Sequence, residues 1–524
     1  MNSSVNSSPL ANREFRELWA ANAMSNFGGQ IQVVGAAWLM FNLTESAQMT
    51  ALVQSATSLP TMLFILLGGA LADNFNRRKI MLVTQSSMLI VALVLAFLSW
   101  NGLTTPWMLL GLVFVSSIFG SLNNPSWQAS VRDILPRELI SRAVGLNSIS
   151  INLARTGGPA LGGVIVAAAS VAAAFIANAV SFVIFLVALL RWKPAPKLRN
   201  TPREQLFSAM IAGVRYAARD RNVRNAVLRG GISGVSASAA FALLPVLVRD
   251  TLDGNALAYG LILAAFGGGA VISAGFAATL RSNLTPDRVV LLGTIALTIG
   301  LALLAVAPSF LVAAIGAALC GSGWTTAHST YNTTVQLSAS TWVTARSLAL
   351  YQTATFAGMA VGSAALGWVA EHQDVGTAFY VAAAAQLFAG ALGFILPLPR
   401  LQDLNVEMLN QWTAPILSVE VQPDEGPIRV EIEYVIAEQN SDRFLSAMEF
   451  RANIRKRDGA RNWALWQDLS ERTRWIESYR VHNWAEYLRH NSRRTEADRE
   501  NMETLDALHS GEEIPAIRRY IWRD

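Results

Sequence analysis

Long stretches without a charged side chain are the feature that most constrains the fold of this chain. They lie before residue 400, and only 15% of the 524 residues are charged. A charged side chain at the centre of a bilayer costs at least about 2.5–3.5 kcal/mol, so gaps of this length indicate membrane-spanning helices. The uncharged stretches are Leu18–Thr44, Ser46–Ala72, Ile80–Val131, Gly254–Leu280, Val289–Ala345 and Ser347–Ala370.

A helix needs about 20 apolar residues to cross the hydrocarbon core. On that measure the sequence predicts an all-α membrane protein with twelve transmembrane helices. The two longest uncharged stretches hold two spans each and divide at Thr105–Pro106 and Pro308–Ser309. The predicted spans are 18–41, 50–72, 80–100, 107–130, 143–166, 171–191, 226–248, 258–280, 289–307, 310–335, 347–370 and 376–397.

Arginine and lysine concentrate in alternate loops, which predicts the orientation because cytoplasmic loops carry the excess of positive charge. The other loops hold almost none, with Arg249 as the exception. Both termini are therefore expected in the cytoplasm, in a multi-pass protein of the bacterial inner membrane. The net charge of +5 belongs to these loops and predicts no nucleic-acid partner. The basic residues lie at 13–16, 77–79, 132–142, 191–224, 281–288 and 346.

The chain also repeats internally. Arg142–Gly163 and Arg346–Gly367 share arginine, leucine and glycine at an offset of 204 residues. Parallel repeats of six spans are typical of one large class of secondary transporters. The sequence thus predicts an N-terminal six-helix half at 1–195, a cytoplasmic middle loop at 196–224 and a C-terminal six-helix half at 225–399.

The loop after the second span carries a glycine, three residues, an aspartate and then a basic cluster. This pattern resembles the loop signature of the major facilitator superfamily, with Asn74 and Asn76 at positions where the family usually has a basic residue and a glycine. The resemblance implies a conformational latch, in which the glycine permits close packing and the arginines anchor the loop. The latch residues are Gly69, Asp73, Arg77 and Arg78.

The fifth span resembles the signature of the antiporter branch of that superfamily. Glycines allow helices to approach closely and the proline bends the span, while Ala154 stands where the signature has a further glycine. The matching residues are Gly145, Gly158, Pro159, Gly162 and Gly163.

Further short motifs resemble the transmembrane secretion effector branch, which includes proteins similar to enterobactin exporters. They are Ala36–Trp38, Thr44–Ser46, Asn124–Ser126, Leu135–Glu138 and Asn152–Arg155. The resemblance covers about residues 10–400 and implies ion-coupled efflux of siderophores, antibiotics or similar amphiphiles. Many relatives have an acid in the first span where this chain has Gln30, and no aspartate or glutamate lies well inside any predicted span.

Two ionisable side chains, Arg155 and His328, are predicted inside the membrane, where such groups are usually functional. Arg155 can pair with an anionic substrate, or it can form a structural lock between span five and span eight or ten. His328 can carry a proton, since imidazole titrates near pH 6.5, or it can be a hydrogen-bonded packing residue. The full set of substrate or coupling candidates is Asn26, Gln30, Asn124, Arg155, Trp324, His328 and Tyr331.

After a linker at 400–427, the chain is predicted to form a cytoplasmic α+β domain at 428–524. Strands at 428–436, 462–468, 474–482 and 516–522 and helices at 442–457 and 484–508 give a ferredoxin-like β-α-β-β-α-β order. This order resembles dimeric domains of the antibiotic-biosynthesis monooxygenase type, which implies a homodimer through this domain. Its tryptophans are expected in the sheet–helix core or a dimer face: Trp463, Trp466, Trp475, Trp484 and Trp522.

The expected function is therefore secondary active efflux, with the lipid bilayer, a small-molecule substrate and a proton or other ion as partners. Two alternatives stay open: uptake by the same fold, and a membrane-tethered enzyme or regulator that acts through the C-terminal domain. His482, His490 and His509 lack the spacing of metal ligands, and Cys320 is alone. No cofactor, metal site or catalytic residue is predicted.

Overall fold

The computed structural model describes residues 8–193, 206–340, 342–400, 415, 417–492, 495, 498–511 and 514–523. Within these ranges the side chains of residues 73, 74, 137, 141, 206–212, 277 and 278 are not described.

Twelve long helices follow one another in the predicted order within the described residues. The first half comprises α1 Arg13–Thr44, α2 Ala47–Asn74, α3 Arg77–Trp100, α4 Pro106–Ile134, α5 Arg137–Ala168 and α6 Val171–Arg191. A shorter helix, α7 Leu206–Arg219, belongs to the middle loop. The second half comprises α8 Arg221–Ala242, extended by α9 Leu244–Val246 and a π turn, then α10 Ala256–Asn283, α11 Pro286–Ala305, α12 Phe310–Ser338, α13 Thr344–His372 and α14 Val375–Ala391.

Ten of the described helical segments are long and apolar enough to cross a membrane. Helices α1 and α5 fall below that measure because polar side chains such as Gln30 and Arg155 are distributed along them. Both nevertheless pack along their length within the bundle, α1 against α5 and α6, and α5 against α10. The predicted fold class is confirmed, and these two helices are part of the bundle.

The loop between α2 and α3 is anchored by its two arginines. Arg77 donates to both carboxylate oxygens of Asp133 at 2.8 Å and to the carbonyl of Ala129 at 3.0 Å, near the end of α4. Arg78 donates to the carbonyls of Leu189 and Leu190 at the end of α6, at 2.8 and 3.0 Å. Carbonyls at a helix end lack intrahelical donors, so the basic cluster ties three helices together at this loop.

The close-packing glycine of this motif is Gly68, and the prediction for Gly69 was wrong. A Cβ on Gly68 would lie 2.7 Å from the carbonyl oxygen of Ser121 in α4, whereas a Cβ on Gly69 would meet no atom of the described residues within 4 Å. The motif identifies the loop, but the turn of the helix decides which of two adjacent glycines faces α4. The side chain of Asp73 lies outside the described residues.

A charged clamp in the second half was missed by the sequence reasoning. The side chain of Arg229 in α8 is 2% exposed and forms an ion pair with Asp287 at the start of α11. It also donates to the carbonyl of Leu396 at 3.1 Å, and Asp287 accepts from the backbone N–H of Leu398 at 3.0 Å. The clamp thus joins α8, α11 and the segment after α14.

Removing the acid of this clamp is expected to destabilise the protein more than removing the base. Asp287→Asn leaves the buried guanidinium of Arg229 without its counter-charge, which costs about 3–5 kcal/mol. Arg229→Met leaves Asp287, whose side chain is 33% exposed and can be hydrated. Thermal unfolding in detergent measures both variants, and a larger loss for Arg229→Met would contradict this account.

The C-terminal domain has the predicted ferredoxin-like topology. Its elements are β1 Ile428–Val435, α15 Ser441–Arg457, β2 Arg461–Gln467, β3 Arg474–Val481, α16 Trp484–Ser492, α17 Arg499–Leu508 and β4 Ala516–Ile521. The sheet order is β2-β3-β1-β4 and every described neighbouring pair is antiparallel.

The prediction of a single helix at 484–508 was wrong, because two helices, α16 and α17, lie in that range. Between them Thr495 donates to Asp498 through both its backbone N–H and its hydroxyl, at 3.0 and 2.9 Å. Local bonds of this kind compete with helical hydrogen bonds. Asp498 also forms an ion pair with Arg457 at 2.7 Å. The segment between α16 and α17 therefore contacts the last residue of α15 through a carboxylate.

The core of this domain contains part of the predicted tryptophan set. Trp475 is buried, and Trp463 and Trp484 pack against the core, whereas Trp466 and Trp522 are mostly exposed. A buried ion pair joins Arg455 and Glu477 at 3.0 Å, and Trp463 donates to the same carboxylate at 3.0 Å. Burial opposes ionisation of Glu477, but the neighbouring Arg455 and Arg451 hold its pKa below the ordinary value.

Glu477→Gln is therefore expected to cost the domain about 3 kcal/mol, since it leaves Arg455 buried without a counter-charge. In the wild type, the stabilising contribution of Glu477 is present above the ordinary pKa of 4.5. It is lost as the pH falls through the lowered pKa of the folded state. Hydrogen exchange of β1 and β3 in the full chain measures this. Glu433→Gln, which alters an outer-face pair with Arg474, is the control and should change exchange little.

Helix α15 packs on α7 of the middle loop. The guanidinium of Arg457 lies 5.7 Å from the ring centroid of Tyr216, and the Tyr216 hydroxyl lies 3.3 Å from that of Ser340. Burial raises the pKa of Tyr216 to about 12, so its hydroxyl stays protonated. These contacts gather the C-terminal domain, the middle-loop helix and the turn before α13 into one compact unit.

Candidate functional site

A cavity of about 260 Å³ lies between the two six-helix halves. The first half contributes residues of α1, α2 and α5, and the second contributes residues of α8, α10, α12 and α13. Its wall combines neutral polar side chains, aromatic rings and one guanidinium. The lining residues are Gln30, Val33, Gln54, Thr57, Ser58, Thr61, Arg155, Phe241, Leu263, Phe266, Gly267, Ala270, Trp324, Thr325, His328, Thr355, Phe356 and Met359.

Arg155 supplies the guanidinium of this wall. Its side chain keeps accessible surface and borders the cavity. The backbone at Arg155 packs on α10, where a Cβ on Gly267 would lie 2.6 Å from the Arg155 carbonyl oxygen. A glycine at this crossing therefore lets α5 and α10 approach closely, and the arginine side chain is left to face the cavity.

His328 is held in position by two aromatic neighbours. Its ring stacks on Trp324 with a centroid distance of 4.9 Å, and its Nδ1 lies 2.6 Å from the hydroxyl oxygen of Tyr351. That hydroxyl also donates to the carbonyl of His328 at 3.2 Å. Because a hydroxyl has one proton and the carbonyl can only accept, this arrangement favours a proton on Nδ1. Nε2 of the neutral imidazole is then free to accept a proton.

Helices α2 and α13 join the two halves beside the cavity, toward the ends predicted to be periplasmic. The hydroxyls of Ser55 and Ser363 lie 2.7 Å apart, and Ser55 also contacts the carbonyl of Ala360 at 2.9 Å. Nearer the helix ends, Glu371 accepts from the hydroxyl of Ser46 at 3.0 Å and from the N–H of Gln48 at 3.2 Å. A carboxylate at the first turn of α2 is favourable, because it meets unpaired N–H groups and the positive end of the helix dipole.

A glycine seam joins α5 and α10. A Cβ on Gly163 would lie 2.7 Å from the carbonyl oxygen of Ala256, and a Cβ on Gly260 would contact the backbone of Pro159 and Gly163. Gly158 and Gly162 face α1 instead, against Gln30 and Ile31. The packing role predicted for Gly145 was wrong for the part of the chain that the structure describes, since a Cβ there would meet none of its atoms within 4 Å.

The cavity brings together four of the seven predicted substrate or coupling residues: Gln30, Arg155, Trp324 and His328. Asn26, Asn124 and Tyr331 are not among its lining residues. Asn124 accepts from Gln128 at 3.2 Å on the same helix, and Tyr331 lies under Arg229 with 5.6 Å from guanidinium to ring centroid. For these three a substrate contact stays a prediction.

Helix α2 contributes a polar face that the sequence reasoning did not select. Its cavity residues are Gln54, Thr57, Ser58 and Thr61. Their spacing of three and four residues puts them on one side of a helix, and this periodicity in an otherwise apolar span is the signal that identifies them. The aromatic residues Phe241, Phe266 and Phe356 carried no such signal, because phenylalanine is common in apolar spans.

The transmembrane secretion effector family matches residues 4–524. The enterobactin exporter of Salmonella typhimurium is 27% identical over 62% of this chain and 78% of its own length. The multidrug efflux pump Tap of Mycobacterium tuberculosis is 25% identical over 73% of this chain and 93% of its own length. The staphyloferrin A transporter of Staphylococcus aureus is 24% identical over 47% of this chain, and the match spans 62% of that protein.

Solved structures show the same fold at low sequence identity. A bacterial homologue of the human lysosomal transporter Spinster, in an inward-facing and unoccupied conformation, superposes with a TM-score of 0.59 at 13% identity. That match covers 75% of this chain and 98% of the homologue. A bacterial homologue of the iron transporter ferroportin, in an inward-facing state, superposes with a TM-score of 0.54 at 16% identity. That match covers 73% of this chain and 98% of the homologue.

The helix order, the anchored loop after α2, the glycine-rich α5 and the cavity between two halves agree with the family match over nearly the whole chain. The protein is a multi-pass membrane protein. It belongs to the transmembrane secretion effector family of the major facilitator transporters.

Proposed function

We propose that this protein exports a small amphiphilic molecule across the inner membrane by alternating access, with both termini in the cytoplasm. The observation that carries the proposal is the cavity between the two halves, walled by aromatic rings and neutral polar groups. Such a wall suits an amphiphile, whose apolar part packs on rings while its polar groups find hydrogen bonds. The named efflux functions of the relatives support the direction of transport.

The seams beside the cavity indicate what must move. Helix α2 meets α13 through Ser55 and Ser363, and α5 meets α10 through Gly163 and Gly260. Each seam joins one helix of the first half to one of the second. Separation of these seams would open the cavity toward the predicted periplasmic face, and rejoining them would close it. In major facilitator transporters such rocking of the two halves gives alternating access.

We further propose that His328 links transport to proton movement. The imidazole borders the cavity, and Tyr351 fixes its orientation through Nδ1. Nε2 is the atom that would take and release the proton. Among the described lining residues there is no carboxylate that could perform this task.

The test of export is reconstitution of the purified protein in liposomes with a pH gradient and a potassium diffusion potential imposed separately. The reporter is a fluorescent drug, because one relative is named a multidrug efflux pump. Accumulation against a concentration gradient, in the direction of export, supports the proposal. Accumulation in the opposite direction would make the protein an uptake transporter, and no response to any gradient would overturn secondary active transport.

His328→Gln is expected to remove the part of transport that a pH gradient drives, while binding of the reporter is retained. Glutamine keeps hydrogen-bonding capacity but cannot carry a proton at neutral pH. His372→Gln is the matched control, because His372 lies exposed at the end of α13, where its ring stacks on Trp368 and its Nδ1 lies 2.9 Å from the Trp368 carbonyl oxygen. Equal pH dependence in both variants would exclude His328 as the proton carrier.

For the C-terminal domain we propose a regulatory role. The contact of Arg457 with Tyr216 links the domain to the middle-loop helix, which connects the two halves in sequence. The outer face of its sheet carries ion pairs, such as Arg474 with Glu433, so a dimer across that face would bury charge. Arg457→Ala should loosen α7, measured as faster hydrogen exchange of α7 in the full protein. Unchanged exchange would contradict this link.

A further inference from the structure

The cavity has an unbalanced charge. Arg155 contributes a permanent positive charge, since a guanidinium stays protonated in proteins. The remaining described lining residues include no aspartate or glutamate. His328 adds no negative charge in any protonation state. The wall therefore has a net positive charge with no internal counter-charge.

The guanidinium of Arg155 forms no ion pair or hydrogen bond with a described residue. No described residue places a carboxylate within 4 Å of it. The buried Arg229, by contrast, is paired with Asp287. A cation that faces a cavity without a counter-charge attracts an anion to that cavity. A lock between α5 and another helix would need an acceptor on that helix, so this reading of Arg155 has no support in the described residues.

The residues around Arg155 indicate the chemical class of a ligand that would bind it. Rings of Phe241, Phe266, Phe356 and Trp324 border the same cavity. Two of them, Phe241 and Phe266, pack edge to face with centroids 4.8 Å apart. A carboxylate or sulfonate can take two hydrogen bonds from one guanidinium, while an attached aromatic or alkyl group fills the apolar part.

We propose that the cavity selects anionic amphiphiles, with Arg155 binding their carboxylate, sulfonate or similarly charged group and the aromatic wall binding the rest. This inference rests on the proposed function and names its substrate class. Organic cations are excluded by the same arrangement, because they would be repelled by Arg155 and would find no carboxylate.

An anionic substrate changes the energetics of export. An inside-negative membrane potential expels an anion, and each elementary charge gains about 2.3 kcal/mol per 100 mV. The charge carried by the substrate can then supply driving force without a carboxylate in the membrane. This accounts for a transporter whose described cavity has no acidic side chain.

The test uses three probes with the same ring and different charge: 2-naphthalenesulfonate, 2-naphthol and 2-naphthylmethylammonium. Binding to the full-length protein in a neutral detergent is measured by thermal stabilisation. The variants are Arg155→Gln, which removes the charge, and Arg155→Lys, which keeps it. Arg249→Gln, at an exposed arginine, is the matched control.

We expect the sulfonate to bind the wild type and Arg249→Gln, and to bind Arg155→Gln at least about tenfold more weakly, the loss typical of one charge-assisted hydrogen bond. Arg155→Lys should recover part of that loss, and the ammonium probe should bind none of the four proteins. Equal binding of the three probes, or unchanged sulfonate affinity in Arg155→Gln, would overturn the inference.

Two further arms separate the sources of negative charge. Phosphatidylglycerol added to the detergent tests a lipid headgroup, and sodium sulfate tests a small inorganic ion. An Arg155-dependent stabilisation by the lipid or by sulfate that equals that of the sulfonate probe would overturn the assignment to an amphiphilic substrate. Because binding is measured without transport, charge selectivity can hold even if the liposome experiment shows no export, and the two failures are distinguishable.

Discussion

Oxidation of a Ser55→Cys, Ser363→Cys double variant is expected to stop transport completely, and reduction is expected to restore it. The two hydroxyls lie 2.7 Å apart across the seam between α2 and α13, so the substituted sulfurs are close enough to bond with small adjustments. A disulfide would hold one helix of each half together. If export requires the cavity to open at this seam, the locked protein cannot complete a cycle.

The disulfide experiment has a matched control within one half. Ser99 lies in the last turn of α3 and Thr104 in the loop before α4, with their hydroxyls 3.3 Å apart. A Ser99→Cys, Thr104→Cys pair should form a disulfide and leave transport unchanged, because both residues move together. Both pairs are placed in a Cys320→Ala background, since Cys320 is a free thiol. Full transport by the oxidised Ser55–Ser363 pair would show that this seam does not open.

Much of this architecture follows from the sequence because charge is expensive in a bilayer. The uncharged stretches predicted the order and number of the long helices, and the internal repeat predicted their grouping into two halves. The same cost identified Arg155 and His328, which are rare ionisable residues well inside spans, and both border the cavity. Where a physical penalty is large, the pattern that avoids it is readable in a single sequence.

The features that the sequence did not reveal depend on which way a side chain faces. Arg229 and Asp287 lie near span ends, where a charge is tolerated, so nothing in the sequence linked the two residues across 58 positions. Gly68 and Gly69 are adjacent, yet only the first faces α4. The rotation of each helix about its axis decides such cases. It is set by packing against neighbours, which composition and spacing do not specify.

Gly163→Leu is expected to reduce transport by at least about tenfold, and Gly145→Leu on the same helix should have little effect. A Cβ at Gly163 would lie 2.7 Å from the Ala256 carbonyl oxygen and 3.0 Å from the Gly260 Cα, so backbone atoms block any larger side chain. Overpacking of this kind costs about 1–3 kcal/mol. A cost of about 1.4 kcal/mol changes an equilibrium constant tenfold, here the equilibrium between the closed and the open seam. The seam between α5 and α10 would then be held apart.

The comparison of the two glycines isolates packing from the other effects of the substitution. Both replacements exchange glycine for leucine inside α5, so both gain similar helix propensity, and only one meets a neighbouring helix. Transport assays in liposomes and labelling of cavity cysteines from the predicted periplasmic side measure the outcome. Increased labelling of Gly163→Leu would indicate that the seam stays open on that side. Equal transport by the two variants would mean that the glycine motif acts by bending α5 at Pro159 rather than by closing the seam.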